Sequence, residues 1–267
     1  MESSLSFQAV APIKPAAPYL GGKRNLAKRL VAVIETIPHR TYAEPFVGMG
    51  GVFFRRRQRP QAEVINDYSR DIWTFFRVLQ DHYLAFIELI RFQVSSRAEF
   101  DRLKTLDPAK MTDMQRAARF LFLQRQAFGG KITSRNFGVS LHRPARFDVT
   151  RLAGDLEDIH ARLAGVEIEC QTWSEFIARR DSAETLFYLD PPYWDCENDY
   201  GAGMFGRENF AALNEALKGL KGRFVMSLND VPGVRETFAG FQFEAVGTHY
   251  GIAGSGSAPA REVIISN

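Results

Sequence analysis

The amino-acid sequence predicts an α/β protein, with a largely parallel, doubly wound sheet assembled from the two chain ends and interrupted by a mostly helical insert. Three observations lead there. Short apolar runs alternate with helical patterns up to residue 71 and again beyond residue 165, the rhythm of strand-helix-strand units. Between Trp73 and Leu163 that rhythm stops, and apolar residues at helical spacing with basic residues between them take over. Two apolar runs end in segments of unusual chemistry, FVGMGG and DPPY, where open α/β sheets bind ligands.

Taken in order, Pro12, Pro15 and Pro18 give an extended entry, followed by a Gly-Gly turn and a helix from about Arg24 to Thr36. TYAEPFVGMGG is a short buried strand running into a glycine loop, and AEVIND is a second strand ending in Asp67. SRDIWTFFRVLQDHYLAFIELIRF has the apolar density and length of one or two helices, and MTDMQRAARFLFLQRQAF adds another. GGKITSRNFGVSLHRPARF, rich in Gly, polar residues and Arg, suits a hairpin or exposed loop, and DVTRLAGDLEDIHARLAG suits a helix. Strand patterns return at VEIEC, TLFYLD and RFVMSLN, with a helix from about Glu208 to Leu220 between the last two. Two apolar runs around a Gly/Ser-rich loop close the chain as a β-hairpin. The resulting boundaries are 1–71 and 166–267 for the sheet and 72–165 for the insert.

Composition narrows the class. The chain has 267 residues, 45% hydrophobic and 24% charged, enough for a full-sized core. It has no apolar run long enough to span a bilayer and no secretory-type start, so a cytoplasmic protein is expected and no membrane partner. Cys170 and Cys196 are too few for a disulfide framework or a Cys-rich zinc site, and the five histidines lack partners at metal-ligand spacing, so no metal is expected. A net charge of +3 permits a polyanionic partner if the positive charge is concentrated on one face.

Gly48, Gly50 and Gly51 follow the run ending at Val47, and Asp67 closes the next apolar run. Glycines let backbone approach a nucleotide, and an acid at a strand end accepts from ribose hydroxyls. Glu44 just upstream would repel a pyrophosphate but attract an ammonium group. A ligand with adenosine at one end and an amino acid at the other suits both acids, and S-adenosylmethionine is such a molecule.

DPPY places Asp190 at the carboxyl end of TLFYL, while Pro191 and Pro192 fix the backbone and remove two donors. What remains is a carboxylate and carbonyls facing the ring of Tyr193. The exocyclic amine of adenine is a poor nucleophile because its lone pair is delocalised. Acceptance of its two hydrogens by Asp190 and the Pro191 carbonyl favours a pyramidal nitrogen with its lone pair aimed at a sulfonium methyl. Tyr193 would stack on the base. The electronic argument serves the N4 amine of cytosine equally well.

The chain resembles the Dam-like (D12 class, alpha-group) DNA adenine-N6 methyltransferases. PYLGGKRNLAKRL is similar to their amino-terminal cofactor motif, YAEPFVGMGGVFF to their glycine motif, VINDYSRDI to their ribose-binding segment and YLDPPY to their catalytic motif, in the same order over most of the chain. The resemblance implies a Rossmann-like S-adenosylmethionine-dependent methyltransferase sheet with an inserted helical DNA-recognition domain. It implies methyl transfer to N6 of a flipped adenine, with DNA, expected to be double-stranded, as partner. Tyr19, Lys23, Phe46, Gly48 and Asp67 match cofactor-lining positions, Asp190 the acid shared by cofactor and target amine, and Tyr193 the stacking aromatic. FLFLQRQAFGG is similar to a DNA-contacting segment of the family, which makes Arg125 and Phe128 candidates. Tyr19 stands where the family usually has Trp, Gln124 where it has Asn, and Gly129 replaces the Asn after Phe128.

Outside those motifs, Lys131, Arg135, Arg143 and Arg146 lie in the Gly-rich part of the insert, where they can neutralise phosphates, and Arg261 past the GSGS tip at 254–257 offers another such charge. RRRQR at 55–59 is expected to be a solvated helix end, and Trp73, Phe75 and Phe76 to be core.

Overall fold

Nearly every apolar run takes the predicted form. In the computed structural model the strands are β1 (Gln8–Ala9), β2 (Thr41–Glu44), β3 (Gln58–Arg59), β4 (Ala62–Asn66), β5 (Glu167–Glu169), β6 (Thr185–Leu189), β7 (Arg223–Asn229), β8 (Gln242–Ile252) and β9 (Ser255–Ser266). The helices are α1 (Ala27–Thr36), α2 (Arg70–Asp81), α3 (Tyr83–Ile90), α4 (Arg97–Thr105), α5 (Asp113–Gln126), α6 (Val149–Leu163), α7 (Trp173–Arg180), α8 (Arg207–Lys218) and α9 (Pro232–Thr237). The structure describes residues 6–23, 25–139, 142, 144–201, 203–252 and 255–267, excluding the side chains of 198, 200, 248–252 and 255–260. Arg24, Arg143 and the GSGS side chains lie outside the described residues.

The main sheet has seven strands in the order β5-β4-β2-β6-β7-β9-β8. The first five are parallel, and β9 and β8 join antiparallel through the terminal hairpin. Strand order reverses between β2 and β6, so their carboxyl ends flank the crevice where ligands bind such sheets. Successive side chains of a strand face opposite sides. Ala43, Val64, Phe187, Leu189, Met226 and Ile265 therefore pack against α7, α8 and α9, while Tyr42, Ile65, Tyr188, Val225 and Ile264 face the other layer.

That second layer contains α1 and the whole helical segment α2–α6, whose buried residues join one apolar cluster with the sheet. Thr112 and Gln115 close a capping box that starts α5, and Ser96 caps α4 by accepting from the Glu99 amide. Phe75 and Phe76 are fully buried as expected. Trp73 is half-buried and lies between the guanidinium groups of Arg70 and Arg77, each 5.0 Å from its ring. The segment after α5 is a loop pinned to that helix by an isolated bridge between Ala127 and Phe137.

RRRQR is not a solvated helix end. Arg56 is 1% exposed and pairs with Glu63 of β4, which Arg162 of α6 also grips with two hydrogen bonds of 2.6 and 2.7 Å. Arg59 adds a third cation at 3.1 Å, and the Arg56 guanidinium lies 3.6 Å from the centre of the Tyr42 ring. A buried carboxylate in β4 demands cations, and the RRRQR turn supplies them. The prediction is that Glu63→Ala, which strands two buried guanidinium groups, destabilises the protein by about 3–5 kcal/mol. Glu99→Ala, which breaks the exposed pair with Arg102, costs under about 0.5 kcal/mol. Urea titration of the two variants measures both.

Candidate active site

The strand ends that the sheet brings together carry acids. Glu44 ends β2, Asp67 follows β4 and Asp190 follows β6, and all three line one cavity of about 1410 Å³. Tyr19, Lys23, Phe46 and Gly48 line it too, so most of the expected cofactor positions share one space. Gly50 does not line it. Its left-handed φ of 72° serves the turn, and an added Cβ would collide with the Phe54 ring. Gly48, with φ of 52°, lies close enough to Tyr19 that a Cβ would meet the ring at 3.0 Å.

Asp67 organises the glycine loop. Its two carboxylate oxygens accept from the Gly48 amide at 2.9 Å and the Ser69 amide at 2.8 Å, tying the loop to the start of α2. Burial lifts its carboxyl to about 6 against those two hydrogen bonds. Glu44 is 1% exposed and accepts from the Tyr42 hydroxyl at 2.7 Å. Burial pushes it up to about 8, more than the Tyr42 hydrogen bond offsets.

Asp190 is held on one oxygen. Oδ1 receives the Lys23 ammonium at 2.7 Å and the Ser227 hydroxyl at 3.2 Å. Lys23 also donates to the Tyr193 hydroxyl at 2.8 Å and the Gly21 carbonyl at 3.1 Å, so its three protons are all used. Burial raises the Asp190 carboxyl, and Lys23 opposes the rise. The Tyr193 ring lies under the same ammonium, 4.3 Å from its centre. Beyond it the turn is pinned to β7, because the Trp194 amide donates to Asn229 Oδ1 and the Asn229 amide donates back to the Trp194 carbonyl. Pro192 lines the cavity, whereas Pro191 and Tyr193 are next to its lining in the chain and are not part of it.

Three of these residues were not singled out from sequence. Ser227 and Asn229 alternate at the end of RFVMSLN, a period-two signal that places both on the face of Asp190. Phe205 also lines the cavity and meets Phe46 edge-on with centroids 5.9 Å apart, but nothing in its local sequence marks it.

The insert residues divide. Phe128 is 42% exposed and Lys131 is exposed. Arg125 points inward instead: it donates to the Ala16 carbonyl at 2.6 Å and the Arg146 carbonyl at 2.9 Å and lines the cavity. Arg135 donates to Gln124 Oε1 at 3.2 Å and packs 5.9 Å from the Phe120 ring centre, and Arg146 donates to the Ala127 carbonyl. Main-chain acceptors in this loop lack a regular ladder, and Arg125 and Arg146 satisfy two of them, the Arg146 and Ala127 carbonyls. No described helix is long and apolar enough to cross a membrane.

The state of Glu44 has a consequence for stability. An unfolded glutamate ionises near 4.5, whereas the folded carboxyl holds its proton to about 8. The stabilisation is therefore full below about pH 4.5 and is lost as pH rises through 8. Without cofactor, the melting temperature of the protein falls between pH 6 and 8, and Glu44→Gln flattens that fall. Equal slopes in the two proteins would assign the titration to another group.

The chain matches the D12 class N6 adenine-specific DNA methyltransferase family over residues 19–252. It is 28% identical to the Type II methyltransferase M1.LlaDCHI of Lactococcus lactis subsp. cremoris, across 96% of this chain and 95% of that protein. It is 22% identical to the Type II methyltransferase M.CviBI of Paramecium bursaria Chlorella virus NC1A, across 86% and 88%. Among solved structures it is similar to a ribosomal protein L11 methylase of Lactobacillus delbrueckii subsp. bulgaricus, at a TM-score of 0.40 and 10% identity, covering 96% of this chain and 83% of that one. With its glycine loop, strand-end acids and DPPY turn around one cavity, this chain belongs to the D12 class of N6 adenine-specific DNA methyltransferases.

Proposed function

We propose that this S-adenosylmethionine-dependent DNA adenine methyltransferase works on an adenine turned out of the DNA stack, with Asp190 and the Pro191 carbonyl accepting the two N6 hydrogens and Tyr193 stacking on the base. The observation that carries this reading is the Lys23–Asp190 pair. Lys23 and Ser227 both occupy Oδ1, so the carboxylate is oriented and Oδ2 is left for the amine.

The residues present fit the cofactor. Asp67 suits ribose hydroxyls, buried Glu44 suits a cationic amino-acid end, and Tyr19 and Phe46 offer apolar walls. When bound, S-adenosylmethionine supplies an electrophilic methyl on a sulfonium. Asp190 and the Pro191 carbonyl accept hydrogen bonds from the amine, freeing the N6 lone pair to form the new N–C bond as the C–S bond of the sulfonium breaks. One N6 proton then leaves, with Asp190 as its first acceptor, and S-adenosylhomocysteine is released. Direct transfer needs no covalent enzyme intermediate.

Residues 72–165 form the DNA-recognition segment in this reading, with Lys131 on phosphate and Phe128 at the base-contacting edge. Extraction of a base from a duplex needs such a cationic surface. Arg125 supports the cavity floor rather than DNA.

Asp190→Ala lowers methyl transfer at least about 100-fold while DNA affinity stays within about threefold. Labelled methyl transfer followed by nucleoside digestion and mass spectrometry checks this and separates N6-methyladenine from N4-methylcytosine. Persistence of near-parental transfer would remove Asp190 from the reaction. Lys131→Ala reduces the salt dependence of DNA binding by about one counterion. Arg125→Ala lowers stability by about 2 kcal/mol, through two stranded carbonyls, and weakens cofactor binding at least as much as DNA binding. Salt-dependent DNA titration, thermal unfolding and cofactor titration of the two variants give the comparison.

A further inference from the structure

Glu262 is a buried acid that the reaction above does not use. It lies in β9 opposite Asn229 of β7, is 1% exposed, and neither carboxylate oxygen has a hydrogen-bond partner among the described residues. A buried carboxylate without partners is costly, and the apolar residues around it in REVIISN would pack as well without it. Alternation along β9 puts Glu262 on the face of Ile264, which β-pairing sets beside Ser227 and hence beside Asp190. The groups that act on it belong to the site: Lys23 attracts it, Asp190 repels it, and the Tyr193 hydroxyl acts on it as a hydrogen-bonding neighbour, although no hydrogen bond of regular geometry closes between them.

Donor and acceptor accounting identifies what is missing. The Tyr193 hydroxyl accepts from Lys23 and has one proton of its own to donate. Lys23 has given its three protons to Tyr193, Asp190 and the Gly21 carbonyl. Ser227 donates to Asp190 and has the Tyr188 hydroxyl at 2.8 Å. Among the described residues the chain of donors is complete except at the Tyr193 proton, and the carboxylate beside it with no donor on either oxygen is Glu262.

We propose that Glu262 is a positioning residue for methyl transfer, accepting from the Tyr193 hydroxyl when a base is seated and thereby fixing the ring plane and, through Lys23, the Asp190 carboxylate. This inference rests on the reading of Tyr193 as the clamp on the target base. Closing the link converts a poorly satisfied acid into one end of a continuous Glu262–Tyr193–Lys23–Asp190 network. Glu262 itself touches neither cofactor nor base.

A double-mutant cycle in single-turnover transfer of labelled methyl from S-adenosylmethionine to DNA tests the proposal. Glu262→Gln keeps the shape and replaces a charge-assisted hydrogen bond with a neutral one, so the transfer rate constant falls about fivefold or more while cofactor Kd stays within about twofold. In Tyr193→Phe protein, which has no hydroxyl to position, the same substitution changes the rate by less than about twofold. If the amide variant does not fold, Glu262→Met, of similar volume and without a formal charge, takes its place in the cycle. Equal losses in both backgrounds, or a loss carried by cofactor Kd alone, would overturn the role of Glu262. Absence of any labelled N6-methyladenine with wild-type protein would overturn the reading of the site itself, and this role with it.

Discussion

One ammonium group joins the two halves of the site. Lys23 comes from the turn before α1, and its partners Asp190 and Tyr193 come from the far end of the chain, 170 residues away in the case of Tyr193. Its side chain is 2% exposed against 21% for Asp190, so the cation is largely shielded from solvent and salt. Without that cation, burial and their mutual repulsion would drive Asp190 and Glu262 further toward their protonated forms. A protonated Asp190 accepts less well from an amine. In the proposed reaction the transfer chemistry therefore depends on a cation that need not touch the transferred methyl.

The sheet explains how so many polar groups coexist next to a hydrophobic core. On one face, Tyr42 and Glu44, Tyr188 and Asp190, and Ser227 and Asn229 are each two residues apart, so β2, β6 and β7 all present polar groups there as they approach the carboxyl edge. The opposite face stays apolar under α7 and α8. Function is confined to one edge and one side. A second ionic group, Glu63 with its three arginines, lies on β4 and consolidates the fold.

The parts of the site written in contiguous sequence were legible. The glycine loop, Asp67 and the DPPY turn each follow an apolar run, and strand geometry dictates where such residues emerge. Residues that arrive by long-range pairing were not. Glu262 reaches the site only because β9 inserts antiparallel between β7 and β8, and its register is set by a hairpin whose pairing REVIISN alone does not reveal. Charge was legible as composition but not as direction: Arg56, Arg125 and Arg135 all turn inward, toward Glu63, main-chain carbonyls and Gln124. Gly50 resembled a ligand-approach glycine and proved to be a packing glycine against Phe54. The main strands and the helical patterns of α1, α2, α5, α6 and α8, by contrast, were legible from periodicity, whereas the short α7 and α9 were not.

The central claim is that Lys23 holds one oxygen of Asp190 so that the other meets the target amine. A crystal structure of the protein with S-adenosylhomocysteine and adenine-containing DNA measures this directly. The account predicts Lys23 Nζ still on Asp190 Oδ1 and the adenine N6 within about 3 Å of Oδ2. Asp190 turned away from N6, or an N6 contact made only by Lys23 or Tyr193, would contradict it.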